Sequence, residues 1–560
     1  MQMPDQTILG TFFGDEAFPI KWDNGEEKRL HWFYDDLHCP QPISPMYFDV
    51  GGWWLTTRYM YKRFGLPFGN DWIAKKINNY VYSAIVPQTD EEVARLGPYF
   101  NMVLPVYANN FLDWWRDRLV PEVKRNFEFL DSFDYENASL PELMVLLEDA
   151  LDIQDRHFRI HWLLNMAQFA SFLNFESTFN AVTGSEDPVL VGKIEVSVDD
   201  RNWDSIKGLT KLRDKVRADA TLSQAFQGET ASEVVASLKT SDEGKQFLED
   251  IDDWAQEYGF KAIYTHEYIY PLWVEKKAPI IEAVKGYLES DYDVEKEIKK
   301  VEQSQKDAIE EMFSRVDNED DRQKLQDALD MALKMAPLTP DHHFYFDQGT
   351  YGRLRLVFLA IGHKLAETDV LDSPEDIFYL TYDELRHISA VPDAFDAKEL
   401  TASRRDENID STEIRPRDWA GTVTQWSLYE EPYKGLWGFP EKFTKTEERA
   451  KEAADIVSGL AASPGVVEGI ARFVQSPEQF DEVQRGEIMV CKMTNPAWVV
   501  VFTKIKGLVT DSGGVLAHPA VVSREFGIPA VVGTSVATEK IKTGMRIRVN
   551  GNTGVVEVIG

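Results

Sequence analysis

The sequence predicts a multidomain α plus α/β chain: a large, mostly α-helical part over residues 1–440, a linker at 441–460 and a small α/β domain over 461–560. Three observations predict it. Long segments of the first part place apolar residues at three- and four-residue spacing, the period of a helix with one buried face. Near 440–462 the aromatic run WSLYEEPYKGLWGFPEKF gives way to the charged KTEERAKEAADIVSGLAAS, a shift in composition that marks a boundary. Beyond it stand short Val- and Ile-rich runs between glycine turns, VVEGIARFV, EIMVCKM, GLVT, AVVG, MRIRV and GVVEVIG, which read as strands.

Taken in chain order, the helical spacing covers 75–86, 110–128, 140–173, 274–289, 292–335 and 350–366. The segment from Asp291 to Met335 is highly charged with periodic Val, Ile, Met and Leu, the pattern of a pair of amphipathic helices with a solvated outer face. Residues 185–250 mix Gly, Ser, Thr and Asp with shorter helical pieces and read as a mobile insertion or lid. His157 and His161 stand at i, i+4 on one helix face, lining a polar stripe or a substrate cavity. The spacing also suits two metal ligands, but no Glu occupies the HExxH position, and no metal site is expected. Trp53, Trp54, Tyr59, Tyr61, Trp72, Tyr80, Trp114 and Trp115 serve as core, or in part as the walls of a pocket for a flat apolar substrate.

Composition bounds the function. A hydrophobic content of 43% over 560 residues is that of a folded chain with several cores, and a formal net charge of −34 excludes a nucleic-acid footprint. Such an acidic surface repels nucleotides, so any phosphate must be handled by local donors. The two cysteines, Cys39 and Cys491, lie far apart without CxxC spacing, which suggests neither a zinc site nor a disulfide framework. No basic start followed by an apolar core opens the chain, and no apolar run approaches the roughly 18 residues of a membrane span. A cytoplasmic location is expected, with no membrane partner.

The segment GLVTDSGGVLAHPAVVSREFGIPAVVGT at 507–534 carries the chemistry. An apolar run ending at Thr510 reads as a buried strand, Gly513 and Gly514 permit a tight turn, and Pro519 to Phe526 reads as a helix closed by Gly527 and Pro529. His518 then stands at a helix N-terminus, where free N–H groups and the helix dipole favour an anion such as a phosphoryl group on the ring. With SPGVVEG at 463–469, RGEIMVCKMTNPAW at 485–498 and TGMRIRVNGNTGVVEV at 543–558, this segment resembles the mobile phosphohistidine domain of phosphoenolpyruvate-utilising enzymes. The resemblance implies a swivelling β/β/α domain in which His518 takes a phosphoryl group at one site and delivers it at another. It implies that Arg524 helps hold the phosphate and that Thr494 offers it a hydroxyl. Leu516 and Ala517 stand where the family frequently has Thr-Ser.

The larger part resembles the substrate-binding regions of rifampin phosphotransferase and phenylphosphate synthase. The matching pieces are CPQPISPM at 39–46, YGFKAIYTHEYIYPLWVE at 258–275, PLTPDHHFYFDQGTYGRLRLVFLAIGHKL at 337–365 and LDSPEDIFYLTYDEL at 371–385, with Gly-Phe-Lys at 259–261 in place of the relatives' Gly-His-Arg. Acceptor phosphorylation needs a base, and His342 or His343 in DHHFYFDQ is the candidate, with Arg353 and Arg355 placed to neutralise the arriving phosphoryl group. The structural reading of the same segment is a helix cap by Asp341. No Walker motif, ATP-grasp segment or pyruvate-binding barrel is visible. The expectation is therefore a transferase, a dikinase-type kinase subunit acting in aromatic compound metabolism. It binds no cofactor itself, is loaded by a separate ATP-grasp subunit holding ATP and Mg2+, and delivers to a small hydroxylated aromatic acceptor. The alternatives are a rifampin-type antibiotic phosphotransferase fragment and a non-catalytic phospho-acceptor regulatory protein.

Overall fold

The computed structural model describes residues 5–185, 187–289, 292–430, 433, 455–475, 477–494, 498–513 and 518–559. The chain forms two compact units, each assembled from separated stretches. Unit 1 takes residues 1–167, 265–270 and 345–447; unit 2 takes 168–264, 271–344 and 448–560.

Unit 1 holds the strands Ile8–Phe12 (β1), His31–Tyr34 (β2), Asp71–Ile77 (β3), Tyr80–Val86 (β4) and Trp419–Thr424 (β5). They form one antiparallel sheet in the order β1-β5-β2-β4-β3. The β3–β4 hairpin overturns the helix expected over 75–86. Asn78 and Asn79 take φ of 50° and 63°, the left-handed pair a two-residue hairpin turn requires and asparagine accepts. From Ile77 opposite Tyr80 to Asp71 opposite Val86 the two strands pair without a slip. Six of the seven residues of β4 are buried, so the alternation that marks a half-exposed strand is missing from its sequence. Phe18, Trp32, Tyr34, Tyr80, Tyr82 and Ala420 pack into one core on this sheet.

Helices complete the unit. Asp90–Trp114 opens with a capping box in which Thr89 and Glu92 satisfy each other's backbone N–H. Val120–Asp131, the start of Leu140–Thr183, and Tyr351–Glu367 follow the helical spacing of the sequence.

In unit 2 the helices Arg201–Ala218, Asp242–Tyr258, Ala278–Glu289 and Val294–Ser314 gather around Trp203, Ile206, Leu209, Phe247, Ile251, Trp254, Ile280 and Val284. Val294–Ser314 and Glu319–Met335 are the amphipathic pair expected of the charged segment. The C-terminal stretch supplies eight strands: Ile456–Ser458 (β6), Leu460–Ser463 (β7), Val466–Val474 (β8), Ile488–Cys491 (β9), Gly507–Thr510 (β10), Ala530–Val532 (β11), Arg546–Asn550 (β12) and Val555–Val558 (β13). Their order is β6-β13-β12-β8-β9-β10-β11-β7. The four adjacent strands β8, β9, β10 and β11 run parallel.

Candidate functional site

The strand and the helix expected on either side of the glycine pair are present. β10 ends at Thr510, and His518 is the first residue of the helix His518–Glu525, which Gly527 stops at φ 62°. Gly513 takes φ 108°, and a Cβ on Gly533 would lie 2.8 Å from the Gly513 carbonyl oxygen, so two backbones meet where side chains do not fit. Gly514, Leu516 and Ala517 lie outside the described residues.

Asp511 braces the turn. Its carboxylate accepts from Thr534 Oγ1 at 2.9 Å, from the Thr538 hydroxyl and from Thr538 N–H, and its carbonyl accepts from Ser535 N–H at 3.0 Å. Thr510 Oγ1 donates to the Ser512 carbonyl at 2.7 Å. These bonds tie the end of β10 to the stretch after β11 and were not read from the sequence, since Asp511, Thr534 and Thr538 follow no periodic pattern.

Thr494 is buried just after β9. Arg524 folds back along its own helix, with Nε donating to the Ala520 carbonyl at 3.1 Å and Nη1 to the Gly192 carbonyl at 2.7 Å. Glu195, one residue past the helix Pro188–Ile194, is buried nearby. Burial, together with Glu176, pushes its carboxyl up to about 8 against the opposing pull of Arg524.

The acceptor candidates fall in both units. In unit 2, His342 Nδ1 lies 3.2 Å from the Leu338 carbonyl, and the His342 and His343 rings are 3.9 Å apart. Asp341 accepts from the Arg201 backbone N–H at 3.2 Å and so satisfies the start of the helix Arg201–Ala218; burial pushes its carboxyl up to about 7. In unit 1, Arg353 is buried and clasps Asp131 with two nitrogens at 2.8 and 2.7 Å, lies over the Phe127 ring at 3.9 Å and donates to the Gly349 carbonyl. Arg355 donates to the Tyr268 carbonyl. His157 is enclosed: Asn126 donates to Nε2 at 3.0 Å, and Nδ1–H donates to Thr350 Oγ1 at 2.8 Å. Burial pulls its pKa down to about 3, so the ring is neutral.

Unit 1 also contains a histidine–carboxylate cluster that the sequence reading missed. It joins three of the segments quoted above or their neighbours. Glu267 is the clamp: its buried carboxylate accepts from Ser44 N–H at 2.6 Å, Ser44 Oγ at 2.7 Å, Tyr268 N–H at 2.5 Å and Ile269 N–H at 3.3 Å. That bond set ties CPQPISPM to the THEY turn. His266, beside Glu267, lies 3.2 Å from Tyr47 OH through Nδ1 and 3.9 Å from Asp347 Oδ2 through Nε2.

His38 faces it at a ring separation of 5.3 Å and packs against Trp53 at 5.6 Å. Its Nδ1 lies 2.9 and 3.1 Å from the two oxygens of Asp35, which is itself buried. Burial works to lower the His38 pKa, but the charge and hydrogen bond of Asp35, with Asp347 and Asp36 beyond, lift it above the usual histidine value. The signal in the sequence was DDLHCP, a carboxylate three residues before a histidine, which one turn brings into contact.

Unit 1 also has a cavity of about 180 Å³ lined by Asp49, Val50, Leu55, Thr56, Leu151 and Phe158, and none of the cluster's histidines or carboxylates lines it. Among the described residues no helix is long and apolar enough to cross a membrane.

Comparison with known proteins places these features. Residues 483–554 match the mobile domain of PEP-utilising enzymes, and residues 202–339 match the rifampicin phosphotransferase fourth domain. The chondramide synthase of Chondromyces crocatus is 25% identical over 557 residues, 97% of this chain and 14% of that protein. A rifampicin phosphotransferase of Bacillus cereus is 30% identical over 328 residues, 56% of this chain and 35% of the relative. The phosphoenolpyruvate synthase of Pyrococcus furiosus is 41% identical over 140 residues, 25% of this chain and 17% of the relative. The chain thus spans well under half the length of each. The chain is thus similar to a rifampicin phosphotransferase fourth domain over residues 202–339 and to the mobile domain of PEP-utilising enzymes over residues 483–554.

Proposed function

We propose that the chain is a phosphotransferase that carries a phosphoryl group on His518 and passes it to the hydroxyl of a small aromatic acceptor. The observation that carries this reading is the strand, glycine turn and helix with His518 as first helical residue, inside the segment that matches the mobile domain. A phosphoryl group there meets the unpaired N–H groups of the first turn and the positive end of the helix. A covalent intermediate divides the transfer into two displacements at two sites, so donor and acceptor need never meet. Rate then comes from positioning and local positive charge.

The donor in this reading is a separate ATP-grasp protein holding ATP and Mg2+, in the cytoplasm. The aromatic and polar side chains around His38, Trp53 and Tyr47 support an aromatic hydroxyl compound as acceptor. A second reading, transfer to a larger antibiotic acceptor, is favoured by the match of residues 202–339 to the rifampicin phosphotransferase fourth domain. Product analysis with phenol and with a rifamycin separates the two.

The carrier step is tested by incubating the chain with ATP labelled at the β-phosphoryl position, with and without an ATP-grasp protein. Acid-labile, base-stable label on the peptide containing His518 supports the reading. The same label on a His518→Ala chain overturns it.

A further inference from the structure

We infer that His38, oriented by Asp35, is the base that takes the proton from the acceptor hydroxyl, and that unit 1 holds the acceptor beside it. This rests on the carrier reading of His518. Five observations carry it. Nδ1 of His38 is bound to a fully buried carboxylate, which sets the tautomer with the proton on Nδ1 and leaves Nε2 as the basic nitrogen. Among the described residues nothing hydrogen-bonds Nε2, and 29% of the His38 side chain is exposed, whereas Asp35 is 2% exposed. The ring therefore opens to a ligand while its partner does not.

The neighbourhood also suits an aryl hydroxyl. Trp53 lies against the His38 ring and itself meets Trp72 at 4.2 Å, tilted by 52°, and Trp162 at 6.1 Å, a wall of aromatic surface. Trp53 Nε1, and both amide atoms of Gln41 three residues after His38, are buried without a hydrogen-bond partner among the described residues. Buried polar atoms of this kind are rare unless a ligand or water satisfies them. Finally, the segments that meet here are held by the Glu267 clamp and not by chance contact.

The step balances as follows. The acceptor oxygen attacks phosphorus as its proton passes to His38 Nε2, and the new positive charge is met by Asp35. The P–N bond breaks with its electron pair returning to the His518 ring nitrogen, which takes up one proton from water, and His38 releases the acceptor's proton to water in turn. The net exchange is O–H and N–P for O–P and N–H, with no oxidant or metal required for balance.

The titratable and charged groups facing His38 are Asp35 and Asp36 on its own turn, Asp347 and His266. A base must be unprotonated to act, so discharge rises with pH through a midpoint above the ordinary histidine value. In Asp35→Asn that midpoint moves to lower pH.

The test loads wild type, His38→Gln and Asp35→Asn at His518 with phosphoramidate, a chemical phosphoryl donor to imidazoles, and reads the His518 peptide by mass spectrometry. Phenol is then added as the acceptor probe, and loss of phosphohistidine is followed against a control without phenol, together with phenyl phosphate formed. The expected result is discharge in wild type, slower by roughly a hundredfold or more in His38→Gln, with the pH midpoint lowered in Asp35→Asn. Equal rates and an unchanged pH profile in the variants overturn the assignment of His38. A wild-type chain that loads but never discharges to phenol overturns the acceptor site and leaves the carrier intact. Failure to load His518 at all overturns the carrier reading on which both rest.

Discussion

Lys261 offers the sharpest test of how unit 2 is held together. Its ammonium group is buried between the rings of Trp273 at 4.8 Å and Trp254 at 5.2 Å, and its one hydrogen bond is to Ser205 Oγ at 3.0 Å. Among the described residues no carboxylate faces it, and burial pulls its pKa from 10.5 to about 7. The unfolded chain therefore takes up this proton near pH 10.5 and the folded one only near 7. Between those values the unfolded state binds more protons, so stability falls as pH falls, and below about 7 the dependence levels off.

At about 1.4 kcal/mol per pH unit, lowering the pH from 9.5 to 7 costs the wild type about 3 kcal/mol from this group. Lys261→Met keeps an unbranched side chain in the slot and removes the proton. It leaves Ser205 Oγ without its partner, a loss of about 1 kcal/mol that does not vary with pH. Urea unfolding followed by tryptophan fluorescence, with Trp254 and Trp273 as local reporters, measures the difference. The variant is expected to lose the pH dependence between 7 and 9.5 and to be the more stable at pH 7. Parallel pH curves for the two proteins would refute a buried neutral amine at this position.

Other consequences are as direct. Gly192→Ala places a Cβ 2.7 Å from Arg524 Nη1, so the guanidinium must leave the Gly192 carbonyl. Hydrogen exchange in peptides covering 188–195 and 518–526 is expected to rise several-fold, and unchanged exchange removes the docking role of that bond. Glu267→Gln leaves three backbone N–H groups and Ser44 Oγ facing an amide in place of a carboxylate; a loss of about 2–3 kcal/mol in the unfolding of unit 1 is expected by denaturant titration. Arg353→Ala removes the clasp of a buried guanidinium on the partly exposed Asp131 and its contact with the Phe127 ring, and is expected to cost about 1–3 kcal/mol by thermal melting while loading of His518 is unchanged.

How far the sequence reveals the structure depends on whether the signal is local. The signal around His518 is local: a strand run, a glycine pair and a helix lie within 30 residues, and β8 to β13 fall on the Val- and Ile-rich runs between glycines. The N-terminal sheet is not. β2 finds its partners β4 and β5 across some 50 and some 390 residues, and its four buried residues show no alternation. β6 and β7, at the edge of the expected linker, are three and four residues long, too short for a period to register.

The unit 1 cluster was hidden for the same reason. Asp35 and His38 are neighbours in sequence, but His266 and Asp347 reach them only through the fold, and the clamp that brings them, Glu267 on Ser44, spans 223 residues. By contrast Arg353, conspicuous in sequence as a basic residue near two histidines, is committed to Asp131, a partner 222 residues away.

The central claim is that one histidine is the phosphoryl carrier, and the direct measurement is the site of label. The chain and its His518→Ala variant are exposed to β-labelled ATP with an ATP-grasp protein, digested, and mapped for acid-labile, base-stable phosphate. The account predicts one labelled peptide, containing His518, in wild type and none in the variant, with both chains melting alike. Label that persists in His518→Ala, or that maps to another residue in wild type, contradicts it.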